Sequence, residues 1–207
     1  MAKDKGKKKK GDEGPVEPAP ASRLKRVFDD EVGPKVAEQF GIKNPMAMPR
    51  LDKITVNVNM GRHLEGTKVP PNVKSTIYET LSTITGQKGV QIKAKKSVSN
   101  FKVREGYDSA AMVTLRRDRM WHFLDRVIHL ATPRIKDFRG LSPKGFDRQG
   151  NYSFGLTEQG VFPEINMAEV TFTHGMNINL TFSNSSPEKS RFLLEALGMP
   201  LAKEGES

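Results

Sequence analysis

Residues 88–104, KGVQIKAKKSVSNFKVR, combine the side chains best suited to binding a polyanion: six Lys or Arg, no acid, and small polar residues between them. Ammonium and guanidinium groups neutralise phosphates and release counterions, while Ser97, Ser99 and Asn100 can hydrogen-bond to phosphate or 2′-hydroxyl oxygens. The alternative is a solvated strand end and loop. A run of this length without a compensating acid favours a phosphate-binding surface.

A second basic segment, RRDR at residues 116–119, lies where a predicted strand gives way to a predicted helix. Arg at a helix start opposes the helix dipole, so stability explains this segment poorly and phosphate contact explains it better. A solvated junction in which Asp118 pairs with one Arg remains the alternative.

A third segment, residues 133–155, is basic and rich in glycine, and it contains Phe138, Phe146 and Tyr152. Aromatic and Arg side chains can stack on unpaired bases, and glycine lets a ligand approach the backbone closely. The alternative is a long loop whose aromatic residues pin it to the body of the protein. The sequence leaves both interpretations open.

A neutral hydrogen-bonding surface is predicted beside these basic segments. The polar side of the first predicted strand presents Thr55, Asn57 and Asn59. Three further residues extend this surface: Gln87, Thr114 and Arg116. Amides and hydroxyls on a sheet suit ribose and base-edge contacts better than duplex phosphates.

Catalytic chemistry is poorly represented in this sequence. The absence of cysteine excludes thiol nucleophiles, thiolate zinc sites and disulfides. His122 and His129 lack the close spacing and the carboxylate typical of a metal site, and Glu158 and Glu164 are better explained as surface acids. Glycine-rich phosphate loops and nucleophile elbows are also missing. We therefore expect no enzyme, no metal and no cofactor.

The charge distribution locates the binding surface. The chain has 207 residues and a net charge of +10. Residues 1–20 carry a net +2, residues 21–150 a net +12 and residues 151–207 a net −4. The basic surplus therefore belongs to the middle of the chain, and it indicates a polyanionic partner.

The domain organisation follows from composition. Residues 1–21 are rich in Lys and poor in apolar side chains, which predicts a disordered basic extension, either a polyanion-binding arm or a solubility tail. Residues 22–201 are predicted to form a single RNA-binding domain, and residues 202–207 a flexible tail. No apolar stretch is long enough for a membrane span or a secretory signal, so we expect a soluble intracellular protein without membrane contact.

Hydrophobic periodicity predicts the elements that must position these residues. Helices are expected over residues 22–40, capped by Ser22 and kinked or divided at Pro34, over 71–85, over 119–132, capped by Asp118, and over 187–197. Strands are expected over 51–60, 90–94, 110–116 and 151–156. Residues 169–174 and 176–183 are expected to form a hairpin around His174 and Gly175, and residues 134–150 a long loop.

From residue 50 to about 155 the predicted order is strand, helix, strand, strand, helix, strand. This order is typical of an α+β fold of the ferredoxin-like, split β-α-β type. We expect an antiparallel sheet with helices mainly on one face, supplemented by the N- and C-terminal helices. Since this topology hosts many functions, it does not identify one.

Four stretches closely resemble the family of bacterial-type large-subunit ribosomal protein five: PRLDKITVNVNMG, GQKGVQIKAKKSVSNFKVREGY, VTLRRDRMWHFLDRVI and PRIKDFRGLSPKGFDRQGNYSFGLTEQGVFPEI. The resemblance spans residues 22–201. It implies a ferredoxin-like α+β protein of the ribosome, in the cytoplasm, that binds 5S rRNA in the central protuberance. It also implies contacts with 23S rRNA, P-site tRNA, neighbouring large-subunit proteins of the 5S particle and a small-subunit protein at an intersubunit bridge.

The resemblance also implies site residues. For 5S rRNA they are Asn57, Gln87, Thr114 and Arg116, with the neighbouring cations Arg117, Lys88 and Lys93. For the tRNA-proximal loop they are Lys95, Lys96, Ser97, Ser99, Asn100, Phe101, Lys102, Arg104 and Tyr107. The chain departs from the family pattern at Asn59 and Arg117, where Gly is usual, and at Gly89, where Pro is usual.

A different class of function remains as the alternative. In it the basic face binds an acidic protein partner outside the ribosome, so that association survives ribonuclease and does not follow large subunits.

Overall fold

The computed structural model describes residues 21–168, 170 and 172–202. Its strands are β1 (Arg50–Asn59), β2 (Val90–Lys93), β3 (Asp108–Leu115), β4 (Tyr152–Leu156) and β5 (Met176–Ser183). Its α-helices are α1 (Arg23–Val27), α2 (Gly33–Phe40), α3 (Pro71–Thr85), α4 (Arg117–Arg126) and α5 (Pro187–Ala196). The predicted α+β class is confirmed.

The strands form one antiparallel sheet in the order β2-β3-β1-β5-β4. The predicted arrangement used residues 151–156 as its last strand, but β5 takes the place beside β1 and β4 lies outside it at the edge. The physical reason is length and pattern. β5 alternates buried and more exposed residues over eight positions and pairs along most of β1, whereas β4 has five residues, one of them Gly155.

The predicted hairpin around His174 and Gly175 is wrong. Residues 170 and 172–174 are not in a strand, and residues 169 and 171 lie outside the described part of the chain. Buried Gln159 explains this outcome, because its side-chain oxygen accepts from the His174 N–H at 2.6 Å and its amide nitrogen donates to the Phe172 carbonyl at 2.9 Å. A side chain thus binds the backbone groups that a strand partner would have bound, and β4 pairs with β5 instead.

The helices follow the predicted stripes, with differences at their starts. Pro34 follows a π-helical turn, Phe28–Val32, which joins α1 to α2. Ser22 occupies the N-cap position of α1 as predicted, but its side chain makes no capping hydrogen bond. The prediction that Asp118 caps α4 is wrong, because Arg116 is the N-cap residue. Gly41 and Gly86 end α2 and α3 in the left-handed conformation, as expected from glycine at these positions.

One side of the sheet faces the hydrophobic core. Ile54, Val56 and Val58 of β1 are fully buried there, and α3 packs against β3 while α4 packs against β1. α4 in turn contacts α1, and α2 contacts α5. The opposite side of the sheet remains accessible. Residues 1–20 and 203–207, which make up most of the predicted extension and tail, lie outside the described residues.

Candidate nucleic-acid interface

The accessible side of the sheet, here called the open face, is built from aligned neutral side chains. Thr55 lies opposite Thr114 on one neighbouring strand and opposite Asn179 on the other. In the next row on this side, Asn57 lies between Met112 and Asn177. Directly opposed residues in an antiparallel sheet share a face, so hydroxyls and amides from three strands form one continuous hydrogen-bonding surface.

Sequence reasoning missed the contribution of β5 to this surface. MNINLTF alternates strictly, and its polar members, Asn177, Asn179 and Thr181, continue the polar side of β1. The signal was present in the alternation itself. What the sequence did not reveal was the register that places this strand beside β1.

Gln87 meets the sheet at the end of the open face. It follows the left-handed Gly86, and its side-chain amide nitrogen donates to the carbonyl oxygen of Thr114 at 3.4 Å. Arg116 immediately follows β3 and is exposed. Three of the predicted 5S rRNA residues, from two different elements, are therefore neighbours.

Of the predicted flanking cations, Lys88 and Arg117 are exposed and adjoin Gln87 and Arg116 in the chain. Lys93 lies at the far end of β2, opposite Asp108, and is therefore not part of this group. Arg117 has φ +53°. The left-handed region favours glycine, which agrees with the glycine that the family resemblance led us to expect at this position.

The other two departures from the family pattern also have a structural setting. Asn59 accepts the N–H of Gly61 on its side-chain oxygen at 2.8 Å, so an amide side chain stabilises the turn where the family pattern has glycine. Gly89 packs against Tyr78: a Cβ added to it would lie 3.2 Å from that ring.

Residues 94–107 form the connection between β2 and β3, here called the basic ribbon. Ala94 and Tyr107 close its base through an N–H···O bond of 2.8 Å, and Val98 and Val103 pair at its outer end. Its exposed residues include all but one of those predicted for the tRNA-proximal loop: Lys95, Lys96, Ser97, Ser99, Asn100, Phe101, Lys102 and Arg104. Phe101, near the tip, is 72% exposed.

Tyr107 differs from the other predicted loop residues. It is half-buried at the base of the ribbon, and the Lys68 ammonium lies 5.7 Å from the centre of its ring. This cation–π contact anchors the ribbon to the turn before α3. Tyr107 therefore lies at the base of the ribbon and is less exposed than the other predicted loop residues.

The cations of this interface are available for phosphate. Among the described residues, salt bridges occupy seven pairs, none of which includes Lys88, Lys95, Lys96, Lys102, Arg104, Arg116 or Arg117. Asp118 pairs with Lys25 at 3.5 Å and not with a neighbouring Arg. The alternative for residues 116–119, in which Asp118 pairs with a neighbouring Arg, is therefore not supported.

Aromatic side chains of residues 133–155 serve the fold. Tyr152 is buried, its ring lies 4.4 Å from that of Phe146, and its hydroxyl donates to the carbonyl oxygen of Ser142 at 2.8 Å. Burial raises the pKa of Tyr152 to about 12. The interpretation in which Tyr152 stacks on an unpaired base is therefore wrong. The alternative, in which aromatic residues hold a long loop against the body of the protein, is confirmed at Tyr152.

Two of the four residues considered for catalysis have structural partners. Glu164 accepts from Arg126 at 2.5 Å, and His129 contacts Asp125. Within the described ranges no three metal-ligating side chains come together, and no helix is long and apolar enough to cross a membrane.

Two family models match most of the chain. The family described as "Ribosomal protein L5" matches residues 44–104, and the C-terminus of the same ribosomal protein family matches residues 108–201. The chain is 47% identical to Large ribosomal subunit protein uL5 of Helicobacter pylori strain G27 over 180 residues, covering 87% of this chain and 97% of that relative. The same protein of Bdellovibrio bacteriovorus is 47% identical over 182 residues, with 88% and 99% covered.

Proposed function

Because the chain belongs to the uL5 family of large-subunit ribosomal proteins, we propose that it binds 5S rRNA with the open face of its sheet. Family membership makes it a structural, non-enzymatic constituent of the ribosome, in the cytoplasm. The proposal concerns the RNA that it holds and the residues that hold it.

The main structural support for this proposal is the row of polar side chains formed by Thr55, Thr114 and Asn179. Gln87 lies at the end of this row. Neutral amides and hydroxyls discriminate ribose and base edges, whereas the exposed Arg116, with Arg117 and Lys88, supplies attraction to phosphate. Affinity and recognition therefore come from adjacent but separable groups.

The basic ribbon supports a second contact, with P-site tRNA. It carries Lys95, Lys96, Lys102 and Arg104 in exposed positions, together with the exposed ring of Phe101. Cations bind a phosphate backbone, and an exposed aromatic ring can pack against a base or a ribose. Contacts with 23S rRNA, with neighbouring proteins of the 5S particle and with a small-subunit protein at a bridge are supported by the family resemblance alone.

Salt dependence of binding to isolated 5S rRNA tests the proposal. We expect a steep fall in affinity with salt, and Arg116→Gln or Lys88→Gln should each reduce the slope of log K against log salt by about 0.7–0.9. Arg191→Gln is the matched control, because Arg191 lies on α5 and pairs with Glu195. Affinity that does not change with salt, or an equal change in the control, contradicts the proposal.

Sucrose-gradient sedimentation separates RNA binding from the protein-partner alternative. We expect the chain to comigrate with large subunits and to be released by ribonuclease. Association that resists ribonuclease, away from the subunit fractions, would favour an acidic protein partner.

A further inference from the structure

A cavity of about 550 Å³ opens where β1 and β4 end and β5 begins. Its lining includes Asn57, Arg62, His63, Gly155, His174 and Asn177. We call it the strand-end cavity. It adjoins the open face through Asn57 and Asn177, and none of its lining residues is acidic.

Two of the residues that line the strand-end cavity each carry a polar atom without a partner. Asn57 Oδ1 and His174 Nε2 are buried and have no hydrogen-bond partner among the described residues. His174 is 4% exposed. A buried polar atom without a partner destabilises a protein by about 1–3 kcal/mol, so two beside one cavity are acceptors that a group bound there can satisfy.

Both unpartnered atoms are acceptors. His174 Nδ1 lies 3.4 Å from the carbonyl oxygen of Gly175, which places the ring proton on Nδ1 and leaves a lone pair on Nε2. Burial lowers the pKa of His174, and nearby His63 acts in the same direction, so the ring is neutral. The complementary ligand must therefore present two hydrogen-bond donors.

The remaining walls suit a planar, nucleotide-sized group. Pockets of about 300–1,000 Å³ are typical for small ligands, and Gly155 and Gly175 add no side chains to the space. The rings of His63 and Phe172 lie 4.6 Å apart beside it, and exposed Arg62 can contact a phosphate. Among the RNA bases, guanine presents the most donors on one edge, N1–H and the exocyclic amino group.

We propose that the strand-end cavity binds an unpaired guanine of the RNA that lies on the open face. Asn57 Oδ1 and His174 Nε2 accept from the guanine edge, and Arg62 contacts the nucleotide phosphate. This assignment rests on the proposed RNA-binding function and extends it to a base-specific site that includes residues outside the basic segments.

A titration of the full-length, isotope-labelled chain with each of the four nucleoside 5′-monophosphates tests the site by NMR. We expect guanosine monophosphate to shift the His174 ring and Asn57 side-chain resonances saturably, and cytidine and uridine monophosphates to leave them unchanged. Equal responses to all four nucleotides, or none to guanosine monophosphate, would overturn the proposal.

Gly155→Val provides a variant that fills the cavity. A Cβ at Gly155 would meet only Asn177 Oδ1, at 3.3 Å, and the Met176 carbonyl oxygen, at 4.0 Å, so a side chain there requires the Asn177 side chain to shift slightly. We expect guanosine monophosphate binding to weaken at least about tenfold, the equivalent of 1.4 kcal/mol. Ser153→Val is the matched control: it lies on the same side of β4 but does not line the cavity, and it should retain the response.

Binding of 5S rRNA distinguishes failure of this site from failure of the proposed function. A chain that binds 5S rRNA but ignores guanosine monophosphate would refute only the cavity assignment. A chain that binds guanosine monophosphate at His174 but not 5S rRNA would refute the proposed function and leave the base site standing. Arg62→Gln, an exposed substitution, should weaken the nucleotide response even if Gly155→Val does not fold.

Discussion

The side-chain amide of Gln87 donates a hydrogen bond to the backbone carbonyl oxygen of Thr114, 3.4 Å away. The bond joins the segment after α3 to β3 beside Arg116, so two elements distant in sequence present their polar groups together. The side-chain hydroxyl of Thr114 is not engaged by this bond, because the backbone oxygen is the acceptor. It remains available to a ligand on the open face.

Substitution of the open face should reduce specific RNA binding without reducing general affinity. We expect Asn57→Ala and Thr114→Ala each to weaken 5S rRNA binding by about 1 kcal/mol, roughly fivefold, because each removes a neutral hydrogen-bonding group. Filter binding to 5S rRNA measures the specific affinity, and filter binding to an unrelated RNA measures the general affinity. Thr83→Ala, at an exposed position of α3, is the control. Equal losses on both RNAs would refute a recognition role.

Gly150→Ala should destabilise the fold strongly. Gly150 has φ +81°, and an added Cβ would lie 2.7 Å from the carbonyl carbon of Ser186 at the start of α5. Strain and overlap together should cost more than about 2 kcal/mol in the free energy of unfolding. Gly66 is the matched control, with φ +65° and no atom within 4 Å of the added Cβ. Its replacement by Ala should cost only about 1 kcal/mol. Urea unfolding compares the two variants. A similar loss of stability in both would show that the overlap with Ser186 does not add to the cost at Gly150.

Tyr152→Phe should lower the free energy of unfolding by about 1 kcal/mol, because it removes a buried hydrogen bond and leaves the Ser142 carbonyl oxygen without that donor. Tyr78 offers a contrast, since its buried hydroxyl has no partner among the described residues. Tyr78→Phe should therefore be neutral or slightly stabilising. Urea midpoints at neutral pH compare the stabilities of the two variants. A larger loss of stability in Tyr78→Phe than in Tyr152→Phe would contradict both expected results.

Asp108 should contribute stability that depends on pH. Lys74 donates a hydrogen bond to its carboxylate, which lowers the pKa of Asp108 despite the opposing effect of burial, and Gln91 adds a further bond. A lowered pKa in the folded state stabilises the protein above the unfolded-state pKa of about 4, and this contribution is lost as pH falls through the folded-state value.

The stability difference between the wild type and Asp108→Asn should accordingly be largest near neutral pH and shrink below about pH 4. Denaturant unfolding at pH values from about 2.5 to 7, which extend below and above the unfolded-state pKa, measures this stability difference. Exposed Asp52→Asn is the control and should show little difference throughout. A difference for Asp108→Asn that grows on acidification would reverse the sign and contradict the assignment.

Local patterns predicted most of the elements. The alternation of Ile54, Val56 and Val58 predicted β1, and glycine at the ends of α2 and α3 predicted where those helices stop. The position of β5 was not predictable in this way, because pairing between β1 and β5 depends on contacts between distant parts of the chain. Residues 172–174 were assigned to a strand for the same reason, since the part played by Gln159 is visible only in three dimensions.

In the candidate site, too, local patterns predicted some residues, while others depend on contacts between distant parts of the chain. Residue type and position on the first strand were enough to propose Asn57, and the basic ribbon was evident from charge alone. Asn177, Asn179 and the strand-end cavity depend on long-range register, so no local pattern disclosed them. Tyr107 and Lys93 were grouped with residues from which the structure separates them, because nearness in sequence does not report which end of a strand a side chain occupies.

The place of β5 beside β1 also governs when the protein becomes able to fold. The sheet joins Thr55 to Asn179, and contacts between distant parts of a chain form late and slow folding. During synthesis the N-terminal part of the chain emerges first. A nascent chain therefore contains the residues of its basic ribbon before those of β5 have been added, and the row that joins Thr55 to Asn179 cannot form until residue 179 has been made.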